Sequence, residues 1–179
     1  MKDLSVLALS GSLRTGSTNT ALLQAAQILA PQGVTITFWD EQDQLPHFSP
    51  DLETAVPPVV QEFRERVGKA DGLLIACPEY ARGLPGSFKN ALDWLVGGET
   101  FISKPFVQWN GSPRAFEAQK SLRLVLETMS GIHVDEAAIA LPLIKQQVTG
   151  GSIAAHAEWG PQIGAALEIF ASALRKRDA

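Results

Sequence analysis

Leu4-Ser5-Val6-Leu7-Ala8-Leu9-Ser10-Gly11-Ser12-Leu13-Arg14-Thr15-Gly16-Ser17-Thr18-Asn19 is the stretch that decides the fold. Leu4 to Leu9 is a short, nearly continuous apolar run. A strand buried on both faces has this pattern, as in a parallel sheet. At Ser10 the run gives way to Gly, Ser and Thr. From Thr20 to Ala30 good helix formers follow, among them Ala21, Leu22, Leu23, Ala25, Ala26, Ile28 and Leu29. Ser17, Thr18 or Asn19 suits the cap of that helix, and Pro31 and Gly33 close it.

The same alternation continues along the chain. Val34 to Trp39 is β-branched and alternating and reads as a second strand. Asp40 to Pro58, rich in Pro, Asp and Gln, reads as a long loop, and Val59 to Lys69 as a helix. Gly72 to Cys77 is a third buried strand, Pro78 to Pro85 is irregular, and Gly86 to Val96 is helical. Lys104 to Trp109 is a fourth strand, Asn110 to Pro113 a loop, and Glu117 to Met129 a helix. Val134 to Leu141 is expected as a fifth strand and Trp159 to Arg175 as a terminal helix. Strands alternating with helices predict right-handed crossovers and a parallel sheet covered on both faces. A ligand of such a sheet sits beyond the carboxyl ends of its strands. Here those ends are the loops after Leu9, after Cys77 and after Trp109.

With 179 residues, one domain spanning residues 1–179 is expected. The chain is 45% hydrophobic and 19% charged, and its net charge is −4, from 15 Lys+Arg against 19 Asp+Glu. Such a surface offers no field for a nucleic-acid backbone or an anionic membrane, so neither is an expected partner. Any bound phosphate must be held locally. Cys77 is the single cysteine, which excludes an intrachain disulfide and fits a reducing compartment. The start, Met1-Lys2-Asp3-Leu4, has no apolar signal segment, and no run approaches the ~18 apolar residues of a spanning helix. A cytoplasmic location is expected.

The first loop carries the types a phosphate monoester needs. Ser10, Ser12, Arg14, Ser17, Thr18 and Asn19 bring hydroxyls, backbone N–H groups and a cation to a helix N-terminus. Two rival phosphate motifs fail on spacing. Gly11 and Gly16 match the glycines of a Walker A loop, but Ser17 stands where its Lys belongs. Leu13 stands at the second glycine of a dinucleotide fingerprint, and Asp40 alone is weak support for the ribose role. Cys77 and Arg82 are one residue short of a cysteine-phosphatase spacing, and a thiol ending an apolar strand reads as inert. His47, His133 and His156 lie far apart, so no metal site is expected.

The second loop and its helix, Cys77-Pro78-Glu79-Tyr80-Ala81-Arg82-Gly83-Leu84-Pro85-Gly86-Ser87-Phe88-Lys89-Asn90-Ala91-Leu92-Asp93-Trp94, closely resemble a known signature. It is the Pro-Glu-Tyr-Asn…Pro-Gly…Lys-Asn-Ala-(Ile/Leu)-Asp-Trp pattern of the NADPH-dependent FMN reductase family. Gly11-Ser12-Leu13-Arg14 with Ser17-Thr18-Asn19 resembles the family's first loop. Ser112-Pro113 and Leu122-Arg123-x-x-Leu126 resemble its third loop and following helix. The resemblance runs from about Leu4 to Pro142.

The resemblance implies a flavodoxin-like three-layer α/β/α sandwich with a five-stranded parallel sheet. It implies bound FMN, its phosphate held by Ser10, Ser12, Arg14, Ser17, Thr18 and Asn19. Pro78, Glu79, Tyr80, Ala81, Arg82 and Gly83 would line the isoalloxazine edge, largely through backbone groups, and Ser112 would flank the far side of the ring. The implied activity passes electrons from NADPH or NADH through FMN to a quinone, flavin or similar small acceptor. The flavin carries the chemistry and no side chain is catalytic. Arg14 and Arg82 have the charge to attract the phosphates of NADPH. A homodimer or homotetramer is implied, and Phe88, Leu92, Trp94 and Leu95 suit either its contact or the core. Two positions depart from the pattern: Ala81 replaces the Asn, and Phe116-Glu117-Ala118 stands about where many members carry Gly-Gly. A flavodoxin-type electron carrier is one alternative, although such carriers are typically much more acidic. A member that has lost flavin activity is the other.

Overall fold

The computed structural model describes residues 3–144 and 146–177. The reading of Met1 and Lys2, and the two ends of the 1–179 domain expectation, lie outside the described residues. The sheet is parallel throughout, and its strand order is β2-β1-β3-β4-β5. Strand β1 (Leu4–Ser10) lies between β2 (Val34–Phe38) and β3 (Gly72–Ala76). Strand β4 (Pro105–Asn110) pairs β3 on its inner side. The order is that of a flavodoxin-like sheet, the fold the resemblance implies.

The alternation of side chains along the strands builds two cores. Val6, Ala8, Leu74, Ala76, Val107 and Trp109 face one side, under α1 (Thr18–Ile28) and α6 (Trp159–Arg177). Leu7, Leu9, Leu73, Ile75 and Phe106 face the other. There they meet α2 (Pro58–Lys69), α3 (Gly86–Val96) and α4 (Phe116–Thr128). Both faces are apolar because both are covered, which is why β1 and β3 read as continuous runs. Helix α6 buries Ile163, Ala166, Leu167, Phe170, Ala171 and Leu174, the face that its sequence spacing marks. None of these helices is long and apolar enough to cross a membrane, among the described residues.

The fifth strand departs from expectation. Val134 to Leu141 is not one strand. The edge position is shared by β5 (Ile132–His133) and β6 (Ile139–Ala140), both paired with β4. Between them Asp135–Ala137 forms a 3-10 turn. Asp135 turns outward to a bidentate pair with Arg123, at 2.6 and 3.0 Å, and the Ala137 carbonyl accepts the Trp109 indole N–H at 2.9 Å. A straight strand would give up both interactions. The structure also contains α5 (Gly150–Ala154), packed on α1 and closed by a reciprocal capping box between Thr149 and Ser152. Its paired glycines conceal it in the sequence.

The apolar side chains of α3 belong to the core. Phe88, Leu92, Trp94 and Leu95 are at most 1% exposed, which removes them from any contact between copies. The polar residues of the same helix hold the long loop after β2. Asn90 Nδ2 and Trp94 Nε1 donate to the Pro46 carbonyl at 3.0 and 2.7 Å, and Asn90 Oδ1 accepts the Phe48 N–H at 2.8 Å. Arg64 locks the other end of that loop through a bidentate pair with Glu53 and a 2.7 Å bond to the Trp94 carbonyl. Asn90→Ala strips Phe48 N–H of its partner and Pro46 O of one of two. Thermal or urea unfolding is expected to show a loss of about 1–3 kcal/mol, the usual cost of leaving part-buried polar groups unpaired.

Candidate functional site

Three loops meet at the carboxyl ends of β1, β3 and β4, where the strand order reverses. The first loop passes so close to β3 that a Cβ at Gly11 would lie 2.6 Å from Cys77 Sγ and 3.0 Å from Cys77 Cα. Only glycine fits there. Gly11 N–H continues the ladder to the Ala76 carbonyl at 2.8 Å. The chain then turns through Arg14–Ser17, with Ser17 N–H bonded to the Arg14 carbonyl and Gly16 at φ +73°. A left-handed residue at that position of a turn is the reason for glycine.

Ser17 caps α1, accepting the Thr20 N–H, and is buried in doing so. Helix α1 has no acidic residue in its first turn, so the positive end of its dipole is left uncompensated. The N–H groups of Leu13, Thr15, Gly16 and Thr18 have no hydrogen-bond partner among the described residues. Ser10 Oγ lies 2.7 Å from Thr20 Oγ1, so a hydroxyl pair stands behind the loop. Thr20 and Thr15 join the donor set and escaped the sequence reading; their place before and inside the first helical turn was the available signal.

The expected phosphate residues fall on two sides of this loop. Ser10, Ser12 and Arg14 line a cleft of about 220 Å³ toward Asp40 and Asp43. Thr18 and Asn19 line a second cleft, of about 310 Å³, together with Pro78, Glu79 and Ser112 from the other two loops. Asn19 has a tie to make as well: its Oδ1 accepts the Gly111 N–H at 3.1 Å, joining the first loop to the third. Asn110 steadies the third loop, its Oδ1 accepting the Ser112 N–H at 2.8 Å.

In the second loop, Tyr80 and Gly83 exchange backbone hydrogen bonds of 3.0 Å, with Ala81 and Arg82 between them at φ +51° and +62°. Two left-handed residues closed by reciprocal bonds make the two-residue hairpin turn that favours Asn-Gly. Here it is made by Ala-Arg, at a cost of about 1–2 kcal/mol per left-handed residue. Asn tolerates that conformation better than Ala, so Ala81 departs from the pattern at a left-handed position. Tyr80, Ala81, Arg82 and Gly83 line neither cleft. The peptide groups of Ala81 and Arg82 form no hydrogen bond among the described residues.

Glu79 has a role the sequence does not announce. One carboxylate oxygen accepts the N–H groups of Glu117 and Ala118, at 2.9 and 3.0 Å. Helix α4 has no cap of its own at Ala115, and Glu79 supplies one from the neighbouring loop. The Glu117 side chain lies along α4, with Lys120 Nζ 3.9 Å away. Below the cap, Gln119 donates to the Cys77 carbonyl at 3.1 Å. The Cys77 thiol is fully buried, and burial pushes its pKa up to about 12, so it stays protonated and unreactive at neutral pH.

A cleft of about 340 Å³ at the opposite end of the sheet contains Lys69, Lys104 and Arg177. These cations are engaged: Lys104 donates to the Gly68 and Ala70 carbonyls at the end of α2, Arg177 to the Ser103 carbonyl, and Lys69 pairs with Glu65. That cleft is capped structure. Among the described residues there is no group of three or more His, Cys, Asp or Glu side chains that could hold a metal.

Comparison with known proteins gives these arrangements a context. The family model for NADPH-dependent FMN reductases matches residues 4–146. The chain is 45% identical over 130 residues to an NAD(P)H-dependent FMN reductase of Pseudomonas aeruginosa, covering 69% of this chain and 70% of that one. It is 40% identical over 114 residues to a 2-hydroxy-1,4-benzoquinone reductase of a Burkholderia species, covering 63% of this chain and 58% of that protein. Among solved structures, a flavoenzyme NAD(P)H:(acceptor) oxidoreductase of Paracoccus denitrificans superposes with a TM-score of 0.80, at 26% identity, over 97% of this chain and 98% of that one.

Glu79→Ala leaves the start of α4 without its anion. A stability loss of about 1–2 kcal/mol is expected, the range for a lost helix cap. Hydrogen exchange should quicken first at Glu117 and Ala118; unchanged protection there would show that the carboxylate does not cap the helix.

Proposed function

The chain belongs to the NADPH-dependent FMN reductase family, and on that premise we propose that it is an FMN-dependent oxidoreductase carrying electrons from NAD(P)H to quinone-type acceptors. The observation that carries this is the first loop: free N–H groups, hydroxyls, Arg14 and an uncompensated helix N-terminus in a chain of net charge −4. This donor set fits a phosphate monoester, which needs hydrogen-bond donors and a local positive field.

Ser10, Ser12, Arg14, Ser17, Thr18 and Asn19 are proposed to hold the FMN phosphate, with Ser17 and Asn19 acting mainly through the helix start that they shape. Pro78 to Gly83 and Ser112 are proposed to border the ring, the open peptide groups of Ala81 and Arg82 offering donors and acceptors to its polar edge. Bound there, FMN would accept hydride from NAD(P)H and return two electrons, with two protons, to a quinone to give the hydroquinone. The protein's own share is binding, orientation and field. Glu79 and Asn19 fix the mutual position of the loops, and Arg14 and Arg82 bring positive charge to a dinucleotide's phosphates.

We further propose a homodimer or homotetramer. Leu13, Tyr80, Phe116 and Ile144 are exposed at the loop end of the sheet, an apolar rim that a second copy would cover. The single buried thiol fits a reducing compartment, and the cytoplasm is the proposed one.

The test is a comparison of FMN with riboflavin, which lacks the phosphate, in binding to the flavin-free protein followed by quenching of flavin fluorescence. FMN is expected to bind on the order of a hundredfold tighter, from two or more charge-assisted hydrogen bonds. Arg14→Ala should weaken FMN by about tenfold and leave riboflavin unchanged. Equal affinities for the two flavins would remove the phosphate cradle from the account.

A further inference from the structure

Arg64, Arg66, Arg123, Arg175 and Arg177 each donate to a carboxylate or carbonyl of the protein. Arg14, Arg82 and Arg114 have no such partner among the described residues, and each stands exposed in a different one of the three loops. In a chain of net charge −4, the unpaired guanidinium groups therefore gather where the ligands are proposed to bind. Arg14 belongs to the phosphate loop and Arg82 to the left-handed turn. Arg114 has no role in the function proposed above.

Arg114 lines two clefts at once. One is the 310 Å³ cleft between the three loops, which also contains Asn19, Pro78 and Ser112. The other, of about 300 Å³, is lined by Pro113, Arg114, Pro142 and Ile144. Ile144 is common to both, so the two spaces share a boundary made of one cation and one exposed aliphatic side chain. The outer cleft combines two prolines and an isoleucine with a single guanidinium. Pro113 and Pro142 have little side-chain freedom to lose, so covering them costs little entropy. Among the described residues no carboxylate forms an ion pair with this guanidinium: Glu79, which lines the inner cleft, is bonded to the α4 N–H groups, and Glu117 lies 3.9 Å from Lys120.

We propose that this outer cleft is the electron-acceptor subsite, and that Arg114 makes the enzyme prefer planar aromatic acceptors bearing a negative charge, such as sulfonated or ionised hydroxy quinones. The proposal rests on the reductase function argued above. Its volume is at the lower end of the roughly 300–1,000 Å³ of small-molecule sites, enough for a substituted quinone and too small for a whole dinucleotide. The apolar walls take the ring, and a guanidinium stacks on an aromatic face or forks to an oxyanion.

The experiment uses FMN-loaded protein without NAD(P)H, titrated with 1,4-naphthoquinone-2-sulfonate and with neutral 1,4-naphthoquinone, and read by perturbation of the flavin spectrum. The sulfonate is expected to bind about tenfold tighter, with a preference that shrinks as salt is added. Arg114→Gln should bring the ratio close to one and Arg114→Lys should retain part of it, while Lys176→Gln on α6 keeps all of it. A yellow protein with no charge preference, or a preference that survives Arg114→Gln, overturns the subsite and leaves the flavin function standing. A protein that takes up no FMN overturns both. A change in the NADPH-to-NADH preference of Arg114→Gln, with the acceptor ratio intact, assigns the arginine to the dinucleotide instead and also overturns the proposal.

Discussion

The site depends on two hydrogen-bonded ties between loops that the sheet alone leaves independent. Parallel strands bring the ends of β1, β3 and β4 side by side, but beyond the last ladder bond each loop goes its own way. Asn19 Oδ1 takes the Gly111 N–H and thereby fixes the third loop to the start of α1. Glu79 takes two N–H groups of α4 and fixes the second loop to the element that follows the third. Both ties satisfy donors that would otherwise be unpaired, and the second places a full negative charge on a helix N-terminus, where it is stabilised by roughly 0.3–1 kcal/mol beyond the hydrogen bonds. Remove either and the loops that line the clefts lose a tie between them.

The electrostatic arrangement follows from the same ties. A negative side chain at a proposed phosphate site is ordinarily a fault, and Glu79 stands in the cleft that Thr18 and Asn19 line. The α4 N–H groups stabilise that charge, and the α1 terminus with Arg14, Arg82 and Arg114 adds positive field at the same end of the sheet. The remaining arginines are taken up by carboxylates and carbonyls elsewhere.

Strands β1 and β3, the core-facing side of α6 and the turn after β1 were legible because each is written in a contiguous pattern: apolar runs, helical spacing, a turn rich in Ser and Gly. The stretch from Pro78 to Trp94 was legible as a signature, yet the work of its residues was not. Glu79 meets its partner 38 residues further on, and Asn90 and Trp94 meet theirs 44 and 48 residues back. No local spacing encodes such contacts. Phe88 and Leu92 look the same in sequence whether they face a core or another copy; only packing decides, and here it is the core. The edge strand was misjudged because Val134 to Leu141 is apolar enough for a strand, while Asp135 and the indole of Trp109 each gain a better partner from a turn. Arg114 was overlooked because an arginine in a polar loop is ordinary until its lack of a partner is seen.

The function proposed for this chain is the transfer of electrons from a reduced nicotinamide to a flavin held on its first loop. The most direct test is anaerobic addition of NADPH to the FMN-loaded protein while the visible flavin absorbance is followed. The yellow colour is expected to bleach and then to return on addition of a quinone. A stably yellow protein, indifferent to NADPH and to NADH, would contradict it and point to an electron carrier.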